Sequence, residues 1–273
     1  MKLKFLFLAL ALILVMQAFS KESNEQKPVR KTPVSVWLNG GAGLNFADAY
    51  DKGAAPMSIW GLGVGTQVGL TVDWRRYHIQ QETRVLCGFL LLPLSGYDID
   101  LQENLEFLYR CYDSKNDRFH VWAGGSLQED AFIRIIPSLG NASMSTAVFF
   151  NVNAEGMVQY DFAPIKNRTH NLLTVYGKLT LPLGGCVHRP PYAVIDNYNS
   201  DLELANTLLS GYETKGMLFP GVSTDIGLRF NLPNGNKIGF SYRWDYLTTR
   251  KRGYYRFDNA FHTLSVDFMF KLN

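Results

Sequence analysis

The stretch VSTDIGLRFNLPNGNKIGFSYRWDY, residues 222–246, decides the fold. Its apolar positions recur every second residue, at Val222, Thr224, Ile226, Leu228, Phe230 and Leu232, with Ser223, Asp225, Gly227, Arg229 and Asn231 between them. After Pro233-Asn234-Gly235-Asn236 the alternation resumes, with Ile238, Phe240, Tyr242, Trp244 and Tyr246 against Lys237, Gly239, Ser241, Arg243 and Asp245. A period of two on both sides of an Asn-Gly pair predicts an antiparallel hairpin, because both residues tolerate the positive φ of a tight turn. One face can meet hydrocarbon and the other carries full charges. Strands about ten residues long with this two-sided pattern suit a closed transmembrane sheet, in which every backbone polar group finds a partner.

The pattern repeats outward from this hairpin. Residues 34–46 place Val36, Leu38, Leu44 and Phe46 on one side and Trp37 and Asn39 on the other. Residues 58–74 set Trp60, Leu62, Val64, Val68, Leu70, Val72 and Trp74 against Gly61, Gly63, Gly65, Gln67, Gly69, Thr71 and Asp73. That glycine row leaves room inside the wall, to be filled by large side chains or left as a cavity. Further strands are read in residues 79–91, 98–112, 119–136, 150–162, 171–183 and 261–272. The first half of the third is unusually polar. In the fourth, Glu103 falls on the apolar side, where a carboxylate is costly unless it lies near the interface, is covered by a partner, or the register slips. The fifth is read as one strand with a bulge, because Gly124-Gly125 and Glu129-Asp130 interrupt its alternation.

Short connections are expected at one end of the barrel. Long insertions at residues 47–56, 137–146, 184–220 and 247–260 are expected at the other. The layout is an all-β, closed antiparallel transmembrane barrel of about ten strands, eight or twelve being the alternatives, with short periplasmic turns and long extracellular loops.

Residues 1–20 read as a secretion signal: Lys2 and Lys4, an apolar run through residues 5–16, then Ala18 and Ser20 at a cleavage position. Residues 21–33 read as a polar tether, and 34–273 as the barrel. The chain holds 27 Lys and Arg against 24 Asp and Glu; without Lys2 and Lys4 it is close to neutral. That balance gives no electrostatic case for nucleic acid. Cys87, Cys111 and Cys186 are read as small apolar surface residues.

A soluble secreted barrel would show the same alternation with its apolar face turned inward. Strand length, glycine beside charge on the polar face, and aromatics near the strand ends favour the membrane form. Across residues 34–273, with the leader and the closing Leu264-Ser265-Val266-Asp267-Phe268-Met269-Phe270, the chain resembles the integral outer-membrane β-barrel proteins of Gram-negative bacteria. The resemblance implies location in that outer membrane and a C-terminal aromatic pattern of the kind read by the barrel-insertion machinery. Here Lys271, Leu272 and Asn273 follow the last aromatic residue and depart from it.

The lumen-facing charged set is Asp73, Glu82, Arg84, Glu106, Arg110, Glu155, Asp161, Asp225, Arg229, Lys237, Arg243, Asp245, Asp267 and Lys271. In a narrow barrel these pair into a plug that fixes the shape; in a wider one they line a narrow, porin-like passage for ions or small solutes. A membrane-embedded lipid-modifying hydrolase is a third class, disfavoured because His262 and Ser265 fall on opposite faces and no nucleophile elbow occurs. No catalytic residue, metal site or cofactor is assigned. Arg250, Lys251, Arg252, Tyr254, Tyr255 and Arg256 form a basic, aromatic loop suited to docking a partner. The expected surroundings are outer-membrane lipid and lipopolysaccharide, with a protein partner reached through the extracellular loops.

Overall fold

The computed structural model describes residues 34–162, 172–190, 213–249 and 256–272; the leader and tether read from the sequence lie outside them. One antiparallel sheet is formed by β1 (Ser35–Asp51), β2 (Ala55–Trp74), β3 (Tyr77–Leu92), β4 (Gly96–Asp113), β5 (Phe119–Ile135), β6 (Met144–Asp161), β7 (Leu173–Arg189), β8 (Glu213–Leu218), β9 (Gly221–Asn231), β10 (Lys237–Thr248) and β11 (Phe257–Lys271). β1 pairs with β11 from Trp37↔Lys271 to Asp51↔Phe257, closing the sheet on itself. β8 and β9 share one stave: β9 pairs with residues 173–180 of β7, and β8 with residues 184–189. The result is a closed ten-stranded barrel.

The direction of the side chains settles which barrel this is. Leu44, Val64, Phe89, Leu127, Val152, Phe240 and Leu264 point outward and are exposed, whereas Asn45, Thr71, Glu106, Asn151 and Asn259 point inward and are buried. An apolar exterior around a polar interior is the inverse of a soluble carrier, so the wall is built to be solvated by lipid. Aromatic rings mark the turn end: Trp74 on Tyr77 at 5.7 Å, Tyr77 on Tyr109 at 5.4 Å, Tyr160 on Phe162 at 5.1 Å. Phe89 and Tyr97, 5.5 Å apart, sit toward the loop end. Such amphipathic rings suit the two headgroup levels.

Several boundaries differ from the sequence reading. Residues 47–56 are mostly strand: β1 and β2 continue to a tight turn at residues 52–54. β7 continues through residues 184–189, and β8 returns along it, so both ends of the supposed 184–220 insertion belong to the wall. Residues 247–260 shrink in the same way, to a connection at 249–256. The fifth strand carries no bulge against β6; the register shift lies on β4, between Arg110 and Tyr112. These errors share a cause. The strands outrun the lipid belt, and beyond it their outward residues turn polar, so Asp48 read as loop. The expected contrast between short and long connections is also weaker, since residues 162–172 at the turn end join β6 to β7.

At the tip of the opening hairpin, Leu232 N donates to Asn236 O at 2.8 Å, and Gly235 alone takes positive φ there, at 86°. The inward glycine row of β2 is filled from the adjacent strand: Leu86 lies over Gly65 and Leu90 over Gly61, both leucines being buried. A side chain at Gly63 would run into the β3 backbone at Cys87 and Gly88, so close strand approach is the second reason for the row.

Candidate functional site: the barrel lumen and its rims

The inward residues of β3, β4, β7 and β10 meet across the turn half of the lumen. Glu106 of β4 is 1% exposed and accepts from Lys178 Nζ of β7 at 2.5 Å. His78 lies between two carboxylates, with Nδ1 2.5 Å from Asp73 and Nε2 3.7 Å from Glu106. Glu82 forms ion pairs with Arg84, whose Nε is 2.6 Å away, and with Arg243 at 3.9 Å, and Arg243 donates to Asp245 at 2.7 Å. Ser223 also donates to Asp245. Glu155 accepts from Ser126 at 2.7 Å and Thr180 at 3.1 Å. Arg229 stacks over Tyr176 at 4.1 Å, and Tyr176 donates to Asp225. Asp267 accepts from Gln67, and Lys237 covers the Trp37 ring at 4.1 Å. The strand register forces this meeting, since each strand sends alternate residues into a space one or two side chains wide. A cavity of about 50 Å³ remains beside Gln67, His78, Lys178 and Asp267, room for a few waters.

The loop half is different in kind. Phe132, Phe149, Phe257 and Phe261 cluster with Leu86, Val187 and Met217, all buried. Ring centres of Phe132 and Phe257 are 5.3 Å apart, and those of Phe149 and Phe257 5.4 Å. Two buried arginines bracket this core. Arg189 donates to Asp51 at 2.7 Å, and Asp51 also accepts from Ser145. Arg134 reaches Asp98 at 3.4 Å. Their guanidinium carbons lie 5.2 and 5.5 Å from the Phe257 ring, within cation–π reach.

The lumen therefore contains Asp73, Glu82, Arg84, Glu106, Glu155, Asp225, Arg229, Lys237, Arg243, Asp245 and Asp267 of the charged set. Three others sit at the turn rim. Arg110 lies 3.4 Å from Asp113 and over the Trp122 ring. Asp161 accepts from Thr174 at 2.6 Å. Lys271 is exposed, its chain against Gly235 rather than in the lumen, because β11 ends there. Outside the lipid belt at the same rim, the hydrogen bond from His120, 2.7 Å away, holds the Asp113 carboxyl below its ordinary range. Asp113, Asp117 and His120 bring donor atoms within 4.8 Å of one another. Arg76 and Arg110 already balance Asp113, at 3.9 and 3.4 Å. At the loop rim Arg256 pairs with Asp258 at 2.8 Å and covers Tyr50. Arg250, Lys251, Arg252, Tyr254 and Tyr255 lie outside the described residues.

Sequence reasoning did not find the aromatic layer or its arginine clamps. Phe132 and Arg134 were hidden by the presumed bulge in β5, and Asp51, Arg189 and Phe257 by their assignment to loops. The signal present was strict alternation from His120 through Trp122, Ser126, Asp130 and Phe132 to Arg134, all inward and buried.

No protein-family model matches the chain, and no curated protein sequence does. Solved structures align over most of it: the outer-membrane protease OmpT of Escherichia coli (7% identity, 92% of this chain and 100% of that one, TM-score 0.48), an outer-membrane channel of Pseudomonas putida F1 (10%, 91% and 100%, 0.42), and the attachment invasion locus protein Ail of Yersinia pestis (11%, 86% and 98%, 0.31). At these identities and with scores below 0.5, the alignments carry no argument about this chain, whose fold stands on its own strand pairing. The lipid-facing wall and polar interior are those of a membrane-spanning β-barrel, the class that the Gram-negative outer-membrane proteins represent.

Proposed function

We propose that this barrel is a plugged scaffold with a structural and interaction role, whose working surface is the rim at its loop end. The observation that carries this reading is the double seal of the lumen: a cross-linked charge network in the turn half and an arginine-clamped phenylalanine core in the loop half. Either layer alone obstructs passage, and both are fixed by partners on opposite walls. A wall held this rigidly suits the display of a surface more than the transit of a solute. The basic loop beside Arg256 is the part of that rim chemically suited to an anionic glycan or an acidic protein face. A hydrolase is not supported by the pair it would need, because His262 meets Tyr242 on the outer wall while Ser265 meets Ser241 on the inner side.

Planar-bilayer recording of the purified, refolded protein tests the proposal. The expected trace shows no stable unitary steps. Large, long-lived steps would give the lumen to solute passage and overturn the plugged reading.

A further inference from the structure

Between the two seals, the inward rows pass from charged groups to aromatic rings. Asp130 stands between Gln128 and Phe132 on β5, and Asn259 between Phe257 and Phe261 on β11. Asn151 of β6 lies opposite Gln128. Asp130, Asn151 and Asn259 are 2%, 3% and 1% exposed, and with Gln102, Gln128 and Asp245 they line a cavity of about 30 Å³. It shares no residue with the cavity beside His78. β11 lies across the barrel from β5, so the polar groups reach this space from opposite walls.

Two properties of this cavity are unmet by the chain's own side chains. The first is hydrogen bonding: neither the side-chain oxygen nor the nitrogen of Asn151 or of Asn259 has a partner. Buried amides are ordinarily satisfied, and four orphaned atoms facing one space call for something in it. The second is charge. Both oxygens of Asp130 accept from Gln128 Nε2 at 3.0 Å, yet among the described residues no cation pairs with it. Arg243 is already held by Asp245 at 2.7 Å and Glu82 at 3.9 Å. One pair further along β4, Asp100 is 1% exposed and accepts only from Gln102, at 2.8 Å, with its Oδ1 unpartnered. Water would satisfy the amides and leave the buried negative charge uncompensated; a cation meets both needs at once.

We infer that this cavity is a binding site for one calcium ion. The Asp130 carboxylate and the side-chain carbonyl oxygens of Asn151 and Asn259 are its protein ligands. Gln102, whose Nε2 is committed to Asp100, offers its carbonyl oxygen as a fourth, and water completes the shell. Carboxylate and amide oxygens in irregular array are the donor set calcium accepts, whereas magnesium demands a strict octahedron and holds its waters. The lining contains no thiol and no imidazole, which sets zinc aside. The volume suits a single ion with a water. Such an ion ties β5, β6 and β11 together where the charge network ends and the ring core begins. The site builds on the plugged reading but is tested apart from it: a barrel that holds no calcium and still shows no conductance sinks the site and leaves the plug.

The test uses the full-length barrel refolded in detergent with calcium chloride, passed over a chelating resin and analysed for metal by plasma mass spectrometry. About one calcium per folded barrel is expected to remain. Asp130→Asn, which keeps the size of the side chain and removes its charge, should lose the ion. Asn259→Leu, which removes an amide ligand and alters no carboxylate, should lose it as well. Folding of both is checked by heat-modifiable gel mobility. Asp117→Asn should keep the ion, since it changes only the rim group of Asp113, Asp117 and His120. A wild-type barrel that retains no calcium, calcium that survives Asp130→Asn, or calcium lost with Asp117→Asn would refute the assignment. Should the lumen variants fail to fold, the urea midpoint of Asp117→Asn decides: it must rise with free calcium, and indifference to calcium overturns the site.

Discussion

Phe257→Ala is expected to lower the stability of the barrel by about 3–5 kcal/mol, the range for emptying a large aromatic site that cannot collapse. Phe257 is 1% exposed and touches Phe132, Phe149 and both buried guanidiniums. Its removal leaves a void lined by two rings and strips one face from each arginine. The surrounding strands cannot close over that void, because their spacing is fixed by hydrogen bonds around a closed sheet. Urea unfolding in detergent, followed by tryptophan fluorescence, reads the change. Phe268→Ala is the control: Phe268 faces outward and is 44% exposed, so its loss leaves no internal hole. Equal shifts for the two variants would mean that the loop half of the lumen is not packed as described.

Lys178→Met is expected to cost a similar amount, about 3–5 kcal/mol, for a different reason. The change keeps most of the side-chain volume and removes only the cation. Glu106, buried at 1% exposure, then keeps His78 at 3.7 Å but loses its lysine at 2.5 Å. Leaving one charge of a buried pair uncompensated is the costly step, whereas replacing both partners by apolar groups of like size is often neutral. The double variant Lys178→Met with Glu106→Leu should therefore recover most of the loss. If the double variant is as unstable as the single one, the pair is not the element that matters, and the wider network through Glu82, Arg243 and Asp245 carries the stability.

The membrane barrel was legible in the sequence because period-two alternation is a property of backbone geometry and survives any loop chemistry. Residues 222–246 carried it without interruption, and the inward charges Glu82, Glu106, Arg243 and Asp245 followed from parity alone. Partner choice did not follow. That Glu106 meets Lys178 depends on barrel diameter and stagger, which join residues 72 positions apart and leave no local mark. The aromatic layer was missed for a related reason. Phe132 beside Asp130 and Arg134 looks like a broken lipid-facing row when both faces are judged by hydropathy, yet it is an unbroken inward row in which the apolar members are the ones that fill the tube. Glu103 marks a third limit. Its sidedness could be read from the sequence, but its depth depended on where Tyr97 and Tyr109 ended the belt.

The seam between β1 and β11 has a consequence for how the protein reaches its membrane. The first strand of the sheet finds one of its two neighbours only in the last. Until that neighbour arrives, two rows of amides at the open margins have nothing to bind, and oil offers them no substitute. A half-finished cylinder has no stable berth in the bilayer. The strands must gather at the headgroup level, or against the margin of some other protein, and cross together once Phe257–Lys271 is in hand. Removing that final segment should yield no smaller barrel, only a chain that never leaves the aqueous side.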